Sequence, residues 1–178
     1  MAGERETERL VLRRWRSSDR EALAAINADS EVMRWIGSGR VLGRGLSDEL
    51  IGRFEHEWHE RGFGLWAVSW RADEHRALLG FCGLTVPSLL TDRLPAAEIG
   101  WRLAREAWGQ GVATEAARSA LAFGFEERGL AEIVAVVAPE NARSLRVIDK
   151  LGMTPRADRF HGGAGRRVHV FGISAQDG

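Results

Sequence analysis

Glu98 is the side chain of this sequence best suited to accept a proton. It lies in Ala97-Glu98-Ile99-Gly100-Trp101-Arg102-Leu103, a largely apolar, strand-like segment. Partial burial beside Trp101 would raise its carboxyl pKa towards the working pH, where a general base is effective. An outward-facing carboxylate, or one paired with an arginine, is the plain alternative. Two other chemistries are weaker. Cys82 sits between Phe81 and Gly83 in a strand pattern with no adjacent histidine, which fits a buried thiol better than a nucleophile. His56-Glu57-Trp58-His59 places its histidines three apart, whereas the zinc-protease helix needs them four apart. That segment reads as a solvated helix face, and no metal is expected.

A second chemical feature follows Glu98 directly. Trp108-Gly109-Gln110-Gly111-Val112-Ala113-Thr114 reads as a glycine-rich turn opening a helix. Such a turn leaves backbone N–H groups unpaired at the positive end of the helix, ready for a phosphate or pyrophosphate. A P-loop is excluded, because Gly-Lys-Ser/Thr is missing. A dinucleotide fingerprint fits poorly: Thr114 replaces the third glycine, and Ala104 to Trp108 separate strand from turn. Glu132 lies at about the right distance for a ribose-binding acid, so that reading stays open, as does a plain glycine-tightened helix start.

These residues need elements to hold them. Glu8 to Trp15 predicts a first strand, and Ser17-Ser18-Asp19 a cap for a helix over Arg20 to Asn27. Arg34 to Gly45 is a loop carrying Arg34, Arg40 and Arg44, which reads as solvated rather than as an anion site. Ser47 to Arg61 predicts a helix with Leu50, Ile51, Phe54 and Trp58 on one face. Phe63–Arg71 and Ala77–Val86 read as strands, followed by a loop over Ser88 to Pro95. The helix after the glycine turn runs from Thr114 to Glu127, with Ala117, Leu121 and Phe125 spaced for one face. Ile133 to Val137 is a strand. Asn141 caps a further helix that ends at Gly152. Arg156 to Ile173 suggests two final strands broken at His161-Gly162-Gly163-Ala164-Gly165. The order implies one mixed α/β (α+β) domain over residues 1–178, with an ordered core from about 7 to 174.

Composition sets limits. The 178 residues suffice for one domain with a substantial core. Hydrophobic residues at 44% and charged residues at 28% are ordinary for a soluble protein. A formal net charge of zero gives no bulk attraction to nucleic acid or anionic membrane, and neither is expected as a partner. No apolar run approaches the roughly 18 residues of a spanning helix. The polar start Met1-Ala2-Gly3-Glu4-Arg5-Glu6 and the single cysteine fit a cytoplasmic location.

Strand, glycine turn, helix, strand, Asn-capped helix and Gly152-Met153, in that order, resemble the GNAT family of acetyl-CoA-dependent N-acetyltransferases. The family's R/Q-x-x-G-x-G/A motif falls on Trp108-x-x-Gly111-x-Ala113, departing at its first position. The run Trp108-Gly109-x-Gly111-x-Ala113-Thr114-Glu115-Ala116, with Asn141-x-x-Ser144-x-x-Val147-x-x-Lys150-Leu151-Gly152-Met153, is similar to the RimJ/RimL-like branch. Gly64-Leu65-Trp66-Ala67-Val68 and Leu79-Gly80-Phe81-Cys82-Gly83-Leu84 extend the likeness over most of the chain.

The resemblance implies a mixed, mostly antiparallel sheet of six to seven strands with helices on both faces. It implies that the strands holding Glu98 and Val134 splay apart to admit the thioester of acetyl-CoA. Backbone groups of Trp101, Arg102 and Leu103 would align the pantetheine, joined by Asn141. Trp108, Gly109, Gln110, Gly111, Val112, Ala113 and Thr114 would hold the pyrophosphate. Glu98 would act as base, and Ser144, otherwise a small exposed helix residue, would assist the leaving thiolate. Many members use a tyrosine for that last task; here its position is Ile148, and the sequence contains no tyrosine. Trp35 and Trp66 are the tryptophans to consider for the acceptor pocket. The acceptor would be a primary amine, either a small molecule or a protein N-terminus, and a homodimer is compatible with the resemblance. A non-catalytic acyl-CoA sensor on the same fold is the rival reading; the presence of both Glu98 and Ser144 favours an enzyme.

Overall fold

The structure is a computed structural model that describes residues 3–87, 97–161 and 165–176, with 157–161 described through their backbone. The loop expected over Ser88 to Pro95 and the centre of the break at 161–165 lie outside the described residues. In chain order the elements begin with β1 (Arg5–Glu6), β2 (Leu10–Arg13), α1 (Asp19–Ala28), α2 (Ser30–Met33) and α3 (Arg44–Arg61). There follow β3 (Leu65–Trp70), β4 (Gly80–Thr85), β5 (Ala97–Leu103), a 3₁₀ turn (Arg105–Ala107) and α4 (Val112–Ala122), extended by a π-helical turn (Phe123–Glu127). Then come β6 (Glu132–Val137), α5 (Ala142–Lys150), β7 (Thr154–His161) and β8 (Arg166–Ser174). No helix among the described residues is long and apolar enough to cross a membrane.

The strands form one eight-stranded sheet in the order β1-β2-β3-β4-β5-β6-β8-β7. Every neighbouring pair is antiparallel except β5 and β6. The sheet therefore has the expected character with more strands than the six to seven anticipated. One of its strands, β1, could not be foreseen. It pairs only Arg5 with Leu12 and Glu6 with Val11, and its polar sequence carries no alternating pattern.

Side-chain alternation along the strands divides the core between two faces. On one, Trp66 and Val68 of β3, Leu84 of β4 and Ile99 of β5 meet Ala116, Ala117 and Ala120 of α4. The small alanines let α4 lie close to the sheet. On the other, Leu65, Ala67 and Phe81 pack against Leu23 of α1 and Ile51 of α3. Fully burying an aliphatic such as Leu84 or Ile99 contributes about 1.5–3 kcal/mol.

Two local departures from the sequence reading have physical causes. The regular helix α4 gives way at Phe123 to a π turn, in which the Arg128 N–H bonds to the Phe123 carbonyl. The extra residue per turn brings Phe123 into the core and leaves Phe125 half-buried. Gly124 allows this: a Cβ there would stand 2.6 Å from Ile133 Cδ1. At α1, Ser18 makes no side-chain cap. Asp19 instead turns inward, accepts from the Arg16 N–H at 2.8 Å, and forms a two-pronged pair with Arg13. Both side chains of that pair are at most 4% exposed. Removing one partner of such a pair strands the other charge, typically costing about 3–5 kcal/mol. Asp19→Ala is therefore expected to lower the melting temperature by about 10 °C. A thermal unfolding shift below about 2 °C would show that water reaches Arg13.

One feature of the sheet positions everything that follows. β5 pairs with β6 only at Ala97–Ile133 and Glu98–Val134. Yet β5 stays paired with β4 as far as Leu103, and β6 with β8 as far as Val137. Beyond Glu98 the two central strands part, opening a wedge in the middle of the sheet.

Candidate active site

The wedge is lined from both sides. A cavity of about 260 Å³ is walled by Glu98, Gly100 and Arg102 of β5, Val136 of β6, and Ser144 and Ile148 of α5. A second, of about 240 Å³, is lined by Trp108, Gly109, Gly111 and Val112 to Thr114 of the glycine turn, with Arg143, Arg146 and Lys150 of α5. Trp35, Trp101, Arg102, Asn141 and Ser144 line both. The two cavities are thus neighbouring parts of one groove that runs from the turn to the wedge.

The glycine turn has the geometry its sequence suggests. Gly109 and Gly111 adopt φ of 73° and 81°, left-handed values that side-chain-bearing residues rarely take. The first α4 hydrogen bond runs from the Glu115 N–H to the Gly111 carbonyl. The N–H groups of Val112, Ala113 and Thr114 find no acceptor among the described residues. Free donors at a helix N-terminus, beside three cationic side chains of α5, fit the diphosphate of a coenzyme A thioester.

The irregular first position of the motif also acquires an explanation. Trp108 donates its indole N–H to the Leu103 carbonyl at 2.9 Å. Its ring lies under the Arg143 guanidinium, 4.5 Å from the centroid. A cation therefore stands beside the turn, supplied by α5.

Glu98 is half-buried and lines the wedge. Burial, and secondarily the negative charge of Glu57, push its carboxyl up to about 7. Glu57 reaches in from α3, accepting from the Thr85 hydroxyl and the Val86 N–H, each at 2.9 Å. A carboxyl of this kind can take up or release a proton near neutrality. On α5, the Asn141 side-chain carbonyl caps the helix by accepting from the Ser144 N–H at 3.2 Å. The cap turns the first face of α5, including Ser144, towards the groove.

The structure thus brings together Glu98, Ser144, Asn141, Trp101, Arg102, Leu103, Trp35 and the turn residues Trp108, Gly109 and Gly111 to Thr114. Two expected site residues fall elsewhere. Trp66 is completely buried, edge-on to Phe123 with ring centroids 5.0 Å apart, and lines neither cavity. Its position on the α4 face of β3, not its aromaticity, decides this. Gln110 lines neither cavity, and its side chain points outward: the side-chain amide donates to the Glu106 carbonyl, while the backbone carbonyl accepts from Arg9 at 3.0 Å. Glu132, the acid of the dinucleotide alternative, lines neither cavity and pairs at the surface with Arg156 at 2.8 Å. Cys82 is wholly buried, which pushes its thiol up to about 12. Sequence reasoning missed Glu57 and Arg143; both act across long sequence separations that no local pattern reports.

Comparisons with known proteins agree with this architecture. A model of the acetyltransferase (GNAT) domain matches residues 9–154. The Bacillus subtilis (strain 168) protein YkkB is 35% identical over 151 residues, covering 83% of each chain. The crystal structure of a GNAT-family acetyltransferase from Bacillus anthracis superposes with a TM-score of 0.79 at 26% identity, over 97% of this chain and 99% of that one. The ribosomal-protein-S5-alanine acetyltransferase of Vibrio fischeri superposes with a TM-score of 0.75 at 20% identity, over 98% and 97%. At that identity the likeness to the RimJ/RimL-like branch is one of fold. The chain belongs to the GNAT family and is an acyltransferase.

Proposed function

We propose that the protein transfers the acetyl group of acetyl-CoA to a primary amine, a small molecule or a protein N-terminus, by direct attack in a ternary complex. The observation that carries this reading is the groove itself. It joins an anion-binding turn to a wedge holding Glu98 and Ser144. Acetyl-CoA supplies the activated acyl group. The N–H groups of Val112 to Thr114, with Arg143, Arg146 and Lys150, would hold its diphosphate. The open edge of β5 from Trp101 to Leu103 offers backbone partners for the pantetheine.

The chain's own groups then manage the protons. An ammonium has no lone pair, so Glu98 takes a proton from the acceptor nitrogen, directly or through water. The N–C bond forms as the C–S bond breaks, the nitrogen gives its second proton to water, and the electron pair of the broken bond leaves on sulfur. Ser144 donates a hydrogen bond, or its proton, to that sulfur. Because a thiolate of pKa near 8.5 leaves readily, this help is modest. Ser144→Ala is expected to slow transfer about tenfold, below the range typical of general acid–base groups. The deficit should shrink for an acetyl thioester with a more acidic thiol. An equal deficit for both thioesters would assign Ser144 to positioning.

The test of the whole reading mixes purified protein, acetyl-CoA and a panel of amines and short peptides. Thiol release is corrected for hydrolysis, and the amide product is identified by mass spectrometry. Tight acetyl-CoA binding with no amide from any amine would favour the sensor.

A further inference from the structure

Arg102 is a cation without an anion. Its guanidinium bonds to the Asn27 side-chain carbonyl and lies 5.0 Å from the Phe81 ring centroid. Its Nε is buried with no hydrogen-bond partner. No carboxylate among the described residues comes within ion-pair distance of it, whereas the other inward-facing arginine, Arg13, has Asp19. Burial draws the Arg102 pKa down to about 10, the mark of a guanidinium poorly served by solvent.

The group is nevertheless held firmly. Asn27 donates to the Ser47 hydroxyl at 3.1 Å, and that hydroxyl donates to the Gly43 carbonyl at 3.2 Å. Asn27 and Ser47 are both 0% exposed. This buried polar chain fixes the guanidinium at the wall of the wedge. A fixed, partly desolvated cation facing a cavity is costly unless something negative enters.

The geometry of β5 says where that negative group would sit. Alternation puts Glu98, Gly100 and Arg102 on one face of the strand. At a rise of about 3.3 Å per residue, Glu98 and Arg102 are roughly 13 Å apart along the backbone. Between them Gly100 is a bare floor, for a Cβ there would meet nothing within 4 Å. All three line the same cavity.

We infer that the acceptor is a small amine that itself carries a carboxylate, with its nitrogen at Glu98, its body over Gly100 and its carboxylate on Arg102. A guanidinium fork matches a carboxylate in shape and charge. Arg102 borders both cavities; Arg143, Arg146 and Lys150 serve the one at the turn, and among the described residues Arg102 is the cation that lines the wedge cavity. The inference rests on the acetyltransferase reading of the wedge and narrows its acceptor.

Two measurements test it. First, N-acetyl derivatives of α-amino acids and of longer ω-amino acids, with their neutral amides, are titrated into the CoA-saturated protein by ligand-observed NMR, which needs no turnover. Second, amino acids and their amides are compared as acceptors. The acids should be preferred about 10- to 100-fold, as expected for hydrogen bonds to a charged group. Arg102→Met should reduce the preference to about twofold by raising KM for the acids, with KM for acetyl-CoA as internal control. Asn27→Asp provides an independent check that retains the guanidinium: it places a carboxylate on Arg102 from within, so the preference should vanish there too. Equal binding of acid and amide to the wild type, a preference that survives both variants, or acetylation confined to peptides would overturn the inference. Acids that bind through Arg102 with no amine ever acetylated would sink the acetyltransferase reading and leave the anion site standing. Acids and amides acetylated equally would do the reverse.

Discussion

Gly111→Glu is expected to abolish acetyl-CoA binding in calorimetry while circular dichroism remains native. Two effects act in the same direction. Gly111 has φ of 81°, where a residue with a Cβ costs about 1–2 kcal/mol. That Cβ would stand 3.2 Å from Arg9 Nη2. Arg9 ties the turn to the N-terminal strands, donating to the Gln110 carbonyl at 3.0 Å and to Glu115 at 2.8 Å. A new carboxylate at 111 would draw Arg9 away from these partners and distort the turn. It would also place negative charge at the helix terminus that favours an anion. Gly111→Ala carries the backbone penalty and the Cβ contact with Arg9 but adds no charge, and should weaken binding about tenfold. Undiminished affinity in the glutamate variant would remove the turn from the binding site.

Glu98→Gln should reduce turnover by about 100- to 10,000-fold, with little change in acetyl-CoA affinity. The amide keeps the shape of the acid and cannot accept the proton. With Glu98 titrating at about 7, kcat/KM of the wild type should rise through that pH, and the inflection should be absent from the variant. Raising the pH should recover part of the variant's rate, as free amine becomes available without help. Stability supplies a second readout with a defined sign. The carboxyl titrates at about 7 when folded against 4.5 ordinarily. Between those values the folded protein holds more protons than the unfolded chain, so its stability falls as pH rises through the window. Glu98→Gln escapes that loss. It should melt above the wild type at pH 8, and the two should converge below about pH 4.5. A rate within about threefold of wild type at neutral pH would assign the proton transfer to another group or to water.

The sequence made the central elements legible because their signals are local. An alternating apolar run marks β5, two glycines before an alanine-rich stretch mark the start of α4, and Asn141 marks the cap of α5. The line Glu98, turn, Asn141, Ser144 is likewise a linear order of short motifs. What escaped was set by contacts across the fold. Glu57 reaches Glu98 only because α3 packs over the end of β4, and its helix reads as a plain solvated surface. The π turn at Phe123 depends on Ile133 and Leu84 closing on Gly124. Trp66 and Trp35 are both tryptophans near glycine; Trp66 sits on the α4 face of β3 and is core, whereas Trp35 sits in the turn after α2 and lines the groove.

The parting of β5 from β6 has a consequence for the life of the protein as well as for its chemistry. Past Glu98, each strand presents backbone donors and acceptors to an opening inside the sheet, so the fold carries two interior edges besides its outer ones. Unpaired edges invite foreign strands. A ligand seated in the opening would cover both edges and stabilise the folded chain by mass action, about 2.7 kcal/mol at one hundred times its Kd. The amount of intact protein would then follow the supply of its own acyl donor, through turnover and quality control.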